Sequence, residues 1–122
     1  MQAQRSPGAA GAVSLRVGQP FNPFGVFNGI WIPDPLVRTR VISPGAKIVY
    51  GRLARYAGAD GQCYPAIPTL ADEIGVSARQ TQHYLAELER NQLIRRVPRF
   101  SQNGQQSNAF EFLWHPTLER RG

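Results

Sequence analysis

The chain has 122 residues and a single cysteine, Cys63, which suits one domain with a tail and excludes an internal disulfide framework and a cysteine-based zinc site. It has no run of about 18 apolar residues, and its first residues lack the apolar core of a secretory signal, so we expect a cytoplasmic protein with no membrane span. The net charge is +6, and 13 of the 14 basic residues are Arg. A positive net charge favours a polyanionic partner. The preference for Arg over Lys is also produced by a GC-rich genome.

Residues 1–29 are predicted to be a flexible or docking N-terminal arm, because they are rich in Gly, Ala, Pro, Asn and Gln and show no helical or strand period. Phe21, Phe24 and Phe27 distinguish the arm from a fully disordered tail, which usually lacks aromatic residues. Two interpretations follow from these residues. The arm is either ordered by packing on its own domain or used to bind a partner such as a second subunit.

The next stretch predicts a strand fragment and two helices. Ile30–Pro33 is a brief β-type run, and Asp34 is expected to cap one helical turn that ends near Arg38. Ser43 and Pro44 repeat that arrangement at the start of a longer helix that Gly58 ends. The apolar residues of the longer helix recur at helical spacing, at Ala46, Val49, Tyr50, Leu53, Tyr56 and Ala57.

Two short helices joined by a small hinge are predicted between residues 67 and 90. Gly75 lies just past the first apolar pattern, where a left-handed residue closes a helix, and Ser77 with Gln80 is typical of an N-cap. The hinge is too short for the helices to lie side by side, so they should cross steeply, as in a helix-turn-helix. The apolar residues that define the two helices are Ile67, Leu70, Ala71 and Ile74, then Thr81, Tyr84, Leu85 and Leu88.

A β-hairpin with a long polar tip is predicted to follow. Its strands are Leu93–Val97 and Ala109–Trp114, and a charged tail occupies residues 117–122. The alternating Phe110, Phe112 and Trp114 are expected to pack one face of a small sheet on the helices. The alternative is that these rings stack on the bases of a single strand.

This order of elements resembles the winged helix-turn-helix domains of prokaryotic regulators, and most of all those of plasmid and phage replication initiators. The stretches that carry the resemblance are Ser43–Tyr50, Gly61–Ala71, Ile74–Ser77, Tyr84–Glu89 and Leu93–Arg95. The resemblance implies an α+β winged helix over residues 30–116, with three helices and a C-terminal hairpin wing. It also implies binding to duplex DNA, with the second helix of the motif in the major groove and the wing beside the backbone.

Two residues depart from the pattern of that group. Ala66 stands where these domains often place a Ser that caps the first helix of the motif, and Thr81 stands where a Val usually packs between the helices. The first change weakens a phosphate contact, and the second weakens the core slightly.

Residues 78–90 are expected to form the recognition helix, because its polar face carries Arg and Gln, the side chains that read guanine and adenine edges. An ordinary solvated helix face is the alternative. We expect bases to be read by Arg79, Gln80, Gln82 and His83. We expect phosphates to be bound by Thr69, Ser77 and Arg90, and by residues of the wing (98–108) and its base, namely Arg96, Arg99, Gln102, Asn103, Gln105 and Gln106.

No cofactor, metal site or catalytic activity is expected. His83 and His115 lie on different elements, the carboxylates are expected on exposed helix faces, and no glycine-rich phosphate loop is present. The sequence therefore predicts a cytoplasmic, nucleoid-associated protein that binds double-stranded DNA as a transcription regulator or a DNA replication initiation component. The alternative is a winged-helix interaction or self-assembly module that forms a homodimer through its arm. RNA is less favoured, because a helix fits the major groove of B-form DNA better than that of A-form RNA.

Overall fold

The structure is a computed structural model that describes residues 15–57, 62–63, 65–98, 100–101, 104–105 and 109–119. Gly58 and several expected DNA-binding residues lie outside the described residues. These residues are Arg99, Gln102, Asn103 and Gln106.

Four α-helices form most of the described part of the chain: α1 (Asp34–Arg38), α2 (Pro44–Tyr56), α3 (Ile67–Ile74) and α4 (Ala78–Arg90). Ser43 caps α2 as predicted, because its side-chain oxygen accepts a hydrogen bond from the amide of Ala46 at 3.3 Å. The expectation that Asp34 caps α1 is wrong, since Asp34 is already the first helical residue and Pro33 precedes it.

The predicted turn between α3 and α4 is confirmed. Gly75 has a φ of +77°, the left-handed conformation that glycine adopts without a steric penalty, and its N–H donates to the carbonyl of Ala71 at 2.9 Å. Two residues later, Ser77 caps α4 by accepting a hydrogen bond from the amide of Gln80 at 3.0 Å. Ala66, in contrast, leaves the start of α3 with no side-chain cap.

An antiparallel sheet packs beside the helices and has the strand order β1 (Gln62–Cys63), β5 (Ala109–Phe112), β2 (Ile94–Val97). The long hairpin formed by β2 and β5 pairs Ile94 with Phe112 and Val97 with Ala109. Beyond β2, the short strands β3 (Phe100–Ser101) and β4 (Gly104–Gln105) pair with each other. Helices followed by this hairpin make the α+β winged helix that the sequence predicts.

Two strand predictions are wrong. Residues 30–33 have irregular backbone and pair with no described strand. Strand β5 ends at Phe112, because its partner β2 begins at Ile94, directly opposite. The chain therefore leaves the sheet before Trp114, whose side chain is 70% exposed rather than part of the packed aromatic face.

The core lies where α2, α3, α4 and the sheet meet. Helix α4 supplies Leu85 and Leu88, which are fully buried, together with Thr81, the one polar side chain among the described residues that is buried. The hydroxyl of Thr81 donates to the carbonyl of Ser77 at 2.9 Å, so this departure from Val leaves no unsatisfied polar group. The other fully buried large side chains include Leu36, Val49, Leu53, Leu70, Leu93, Ile94 and Phe110.

The described part of the arm is mostly exposed. Phe21 and Phe27 pack edge to face with their ring centres 6.0 Å apart, but both rings remain at least 48% exposed. Residues 30–32 cross α2 at Gly51. A Cβ atom at Gly51 would lie 2.8 Å from Cγ1 of Ile32, so this crossing requires glycine.

Helices α2 and α4 approach closely at Gly45. A Cβ atom placed on Gly45 would lie 2.1 Å from Cζ of Tyr84, because the tyrosine ring covers the first turn of α2 at this point. The absence of a side chain at residue 45 therefore sets how near α4 lies to the start of α2.

We expect Gly45→Ala to lower the free energy of unfolding by about 1–2 kcal/mol, since over-packing costs about 1–3 kcal/mol and improved helix propensity offsets less than about 1 kcal/mol. Thermal and urea unfolding would measure this. In a Tyr84→Ala background the same substitution should be neutral or stabilising. Gly25→Ala is the matched control, because no atom lies within 4 Å of a Cβ at that position. Equal effects of Gly45→Ala in both backgrounds would contradict the proposed contact.

Candidate nucleic-acid interface

One face of α4 forms an open, shallow concave surface of about 520 Å³ lined by Arg79, Gln82, His83 and Ala86. These residues recur at i, i+3, i+4 and i+7, so the helix places them in one stripe. The first three are exposed, and Ala86 is half-buried at the floor of the surface. The structure thus brings together three of the four residues expected to read bases. We call this stripe the reading face.

The cations of α4 are free to bind an external anion. The three ion pairs among the described residues join Arg52 to Glu73, Arg95 to Glu111 and Arg96 to Glu89. Arg79 and Arg90, both exposed, take part in none of them. The reading face and the last turn of its helix therefore carry positive charge that no described carboxylate neutralises.

On one flank of the reading face, Glu87 holds the start of α2. Its two carboxylate oxygens accept hydrogen bonds from the backbone N–H and the side-chain hydroxyl of Ser43, each at 2.7 Å. Hydrogen bonds to an ionised carboxylate are stronger than those between neutral groups. The contact joins residues 44 positions apart in the sequence and directs a negative charge away from the reading face.

On the opposite flank, Glu89 holds the base of the wing. It accepts a hydrogen bond from Nη2 of Arg96 on β2 at 3.1 Å, and the Arg96 guanidinium lies 5.4 Å from the centre of the Phe110 ring. The Arg96 side chain is 31% exposed. The residue that was expected to bind phosphate therefore has contacts within the domain that fix the position of β2 against α4.

The remaining expected site residues are spread around the reading face. Gln80 is exposed on the first turn of α4, and Thr69 is exposed on α3. The Ser77 hydroxyl is already used to cap α4. Gln105 belongs to β4 near the wing tip. Gln80, Thr69 and Ser77 do not line the concave surface, and whether any of the four residues touches a ligand stays a prediction.

Sequence reasoning missed the roles of Glu87 and Glu89, which were expected on exposed helix faces. Both are half-buried and hydrogen-bonded to other elements. Their partners lie 44 and 7 residues away, so no local spacing identified them. The sequence offered one indication of these roles. Glu87 and Glu89 are the acidic residues of a helix whose other charged residues are basic, and helical period places them on either side of its polar stripe.

No group of three or more His, Cys, Asp or Glu residues among the described residues could hold a metal ion. Burial raises the pKa of the Cys63 thiol to about 11, which keeps it protonated and unreactive at neutral pH. None of the described helices has both the length and the apolar composition needed to cross a membrane.

Residues 39–94 match the model of a family described as a helix-turn-helix domain. The match begins just after α1, includes α2, α3 and α4, and ends at the first residue of β2. Residues 39–94 form a helix-turn-helix domain. The concave surface on α4 is thus the exposed face of the second helix of its motif. The comparison with curated proteins found no match to the chain.

We expect Glu87→Ala to destabilise the helix-turn-helix domain by about 1–3 kcal/mol, because it leaves the half-buried N–H of Ser43 without its acceptor. Asp72→Ala is the matched control, since Asp72 is an exposed acidic residue outside the three ion pairs. Ser43→Ala and Glu87→Ala should be non-additive in urea unfolding. Additive effects of the two substitutions would show that the residues do not act as a pair.

Proposed function

We propose that the chain binds double-stranded DNA sequence-specifically, with α4 in the major groove and the wing along the backbone. The observation that carries this proposal is the reading face. An Arg, a Gln and a His project from one open stripe of the second helix of a helix-turn-helix domain, and no described carboxylate pairs with the Arg. A major groove about 12 Å wide admits such a helix, and these side chains bond to base edges.

The proposed contacts fall into two groups. Arg79, Gln82 and His83 read base edges, with Gln80 beside them, because they occupy the N-terminal half of α4. Backbone phosphates are bound by polar and basic residues outside this group. The proposed phosphate-binding residues are Thr69, Ser77 and Arg90, together with Arg96, Arg99, Gln102, Asn103, Gln105 and Gln106 at the base and tip of the wing.

The proposed setting is the prokaryotic cytoplasm, in association with the nucleoid. There the protein acts as a transcription regulator or as a component of DNA replication initiation. Both roles use the same contact with duplex DNA, so one binding experiment tests what they share.

Binding to duplex DNA should weaken steeply with salt, because each phosphate contact displaces a counterion and adds about 0.9 to the negative log–log slope. Selection on random duplexes followed by titration over a range of salt concentrations would measure the preferred sequence and the slope. We expect Arg79→Ala to cost about 1–3 kcal/mol on the preferred sequence and to relax the preference at one position. Arg90→Ala is the comparison, because a lost phosphate contact weakens all sequences equally. Uniform loss with Arg79→Ala would show that α4 does not read bases through this residue.

The exposed aromatic residues of the arm favour a second candidate function, self-assembly. Phe21, Phe24 and Phe27 are 48%, 86% and 63% exposed. An apolar surface of this kind on a small chain marks a site of protein contact. In this candidate function the arm of one chain docks on a second copy.

Removal of residues 1–29 should leave the domain folded, because the α-helices and strands of the described residues all lie beyond residue 29. Light scattering would give the mass of the full and shortened chains, and thermal unfolding would report the fold. A dimer that becomes a folded monomer would support arm docking. A full-length monomer at micromolar concentration would exclude it, whereas a shortened chain that melts without cooperativity would show that the arm belongs to the core.

A further inference from the structure

At the floor of the reading face lies Ala86, the one apolar residue among the four that line it. We propose that its methyl group packs against the C5-methyl group of a pyrimidine, which in unmodified DNA is thymine, and so selects one base of the bound sequence. The inference rests on the proposed DNA binding and deepens it, because it assigns a specificity-determining residue and the chemical group that this residue recognises.

Ala86 lies near the centre of the reading face. With about 100° of rotation per residue, it projects within roughly 20° of Arg79, whereas Gln82 lies roughly 60° from Arg79 on one side and His83 roughly 40° on the other. These three side chains are long, polar and exposed, and Ala86 is half-buried. A base pair that enters the reading face between the polar side chains therefore meets the methyl group of Ala86 at its floor.

The chemistry of base edges explains why thymine is the base selected. In the major groove guanine, adenine and cytosine present nitrogen and oxygen atoms, and thymine presents its C5-methyl group beside O4. A polar base edge that is placed against the methyl group of Ala86 loses its water without gaining a hydrogen bond, which costs free energy. A thymine methyl group in the same place gains free energy by leaving water. Ala86 therefore favours thymine both by attraction and by what the other bases lose.

The charges of α4 favour a close approach of DNA at this position. The acidic residues of the helix are Glu87 and Glu89, and each is held by a hydrogen bond to a neighbouring element, the start of α2 for Glu87 and β2 for Glu89. Arg90, one turn beyond Ala86, is exposed and takes part in none of the three ion pairs among the described residues. Ala86 thus lies between the base-reading half of α4 and its proposed phosphate contact.

The length of helix between Arg79 and Ala86 limits where the thymine can lie. Seven residues of α-helix span about 10.5 Å. Successive base pairs are about 3.4 Å apart along the duplex axis, so the two residues reach bases no more than about three base-pair steps apart. The selected thymine should therefore lie within that distance of the position at which Arg79→Ala relaxes the sequence preference.

The experiment starts from the preferred duplex of the wild-type chain and replaces its thymines by deoxyuridine, one at a time. Deoxyuridine lacks only the C5-methyl group of thymine and keeps its base pairing. Each modified duplex is compared with the unmodified one by titration with wild type, Ala86→Gly and Ala78→Gly. Ala78 is the matched control, because it is an exposed alanine of the same helix that lies about 100° from Arg79 and outside the reading face.

One deoxyuridine replacement should weaken binding by wild type and by Ala78→Gly about fourfold, because burying one methyl-sized group contributes about 0.8 kcal/mol. Ala86→Gly should bind the same two duplexes with equal affinity. Each ratio compares two duplexes bound by one protein, so any loss of folded protein caused by the glycine cancels. Cytosine at the selected position should bind wild type more weakly than thymine, and 5-methylcytosine should recover about fourfold of that loss, since it restores the methyl group alone.

A preferred duplex on which no deoxyuridine replacement weakens wild-type binding would overturn this inference while the proposed function stands. The same holds if a replacement weakens Ala86→Gly as much as wild type, because another residue then reads the methyl group. A duplex with 5-methylcytosine that binds no better than the one with cytosine would overturn the assignment to the methyl group. If wild type binds no duplex at low salt, the proposed function fails and this inference fails with it.

Discussion

The arrangement of this domain depends on the hydrogen bonds that the Glu87 carboxylate accepts from Ser43. The first amides of any helix lack partners within the helix, and a neighbouring side chain must satisfy them when they are half-buried. Here the cap residue of α2 is itself held by a carboxylate from α4. One ionised group thereby completes the start of one helix and fixes the direction of another.

The thirteen residues of α4 serve both the core and the polar surface of the domain. Its inner side buries Thr81, Leu85 and Leu88 against α2, α3 and the sheet, so it is central to the core. Its outer side keeps the polar residues of the reading face in solvent. The two carboxylates, Glu87 and Glu89, lie between these sides and hold the neighbouring elements. The position of the reading face is therefore set by the same contacts that hold the domain together.

The sequence predicted the parts of the fold that local chemistry controls. Ser43 and Ser77 are caps, and Gly75 is a left-handed residue, because each acts on amides or dihedral angles within a few positions. The expectation for Trp114 failed because the length of β5 is set by where β2 begins, far away in the sequence. The same reason applies to residues 30–33, which have a strand-like composition but meet α2 instead of another strand.

In the candidate site, too, some features follow from the local sequence and others depend on contacts between distant residues. The stripe of Arg79, Gln82 and His83 follows from helical period alone, so the order of residues along α4 is enough to predict it. The flanks of that stripe could not be predicted in this way, because they depend on which elements Glu87 and Glu89 reach.

The bare start of α3 has a consequence for how the domain folds. This helix has eight residues, no side-chain cap at Ala66 and a proline in its first turn. Isolated helices shorter than about 12 residues are marginal in water even with good caps. Helix α3 therefore owes its structure to the apolar contacts that α2 and α4 offer it, and little of it should survive in the unfolded ensemble. We expect α2 and α4, both capped and longer, to form the folding nucleus, and α3 to consolidate late, once their docking has created the surface on which it packs.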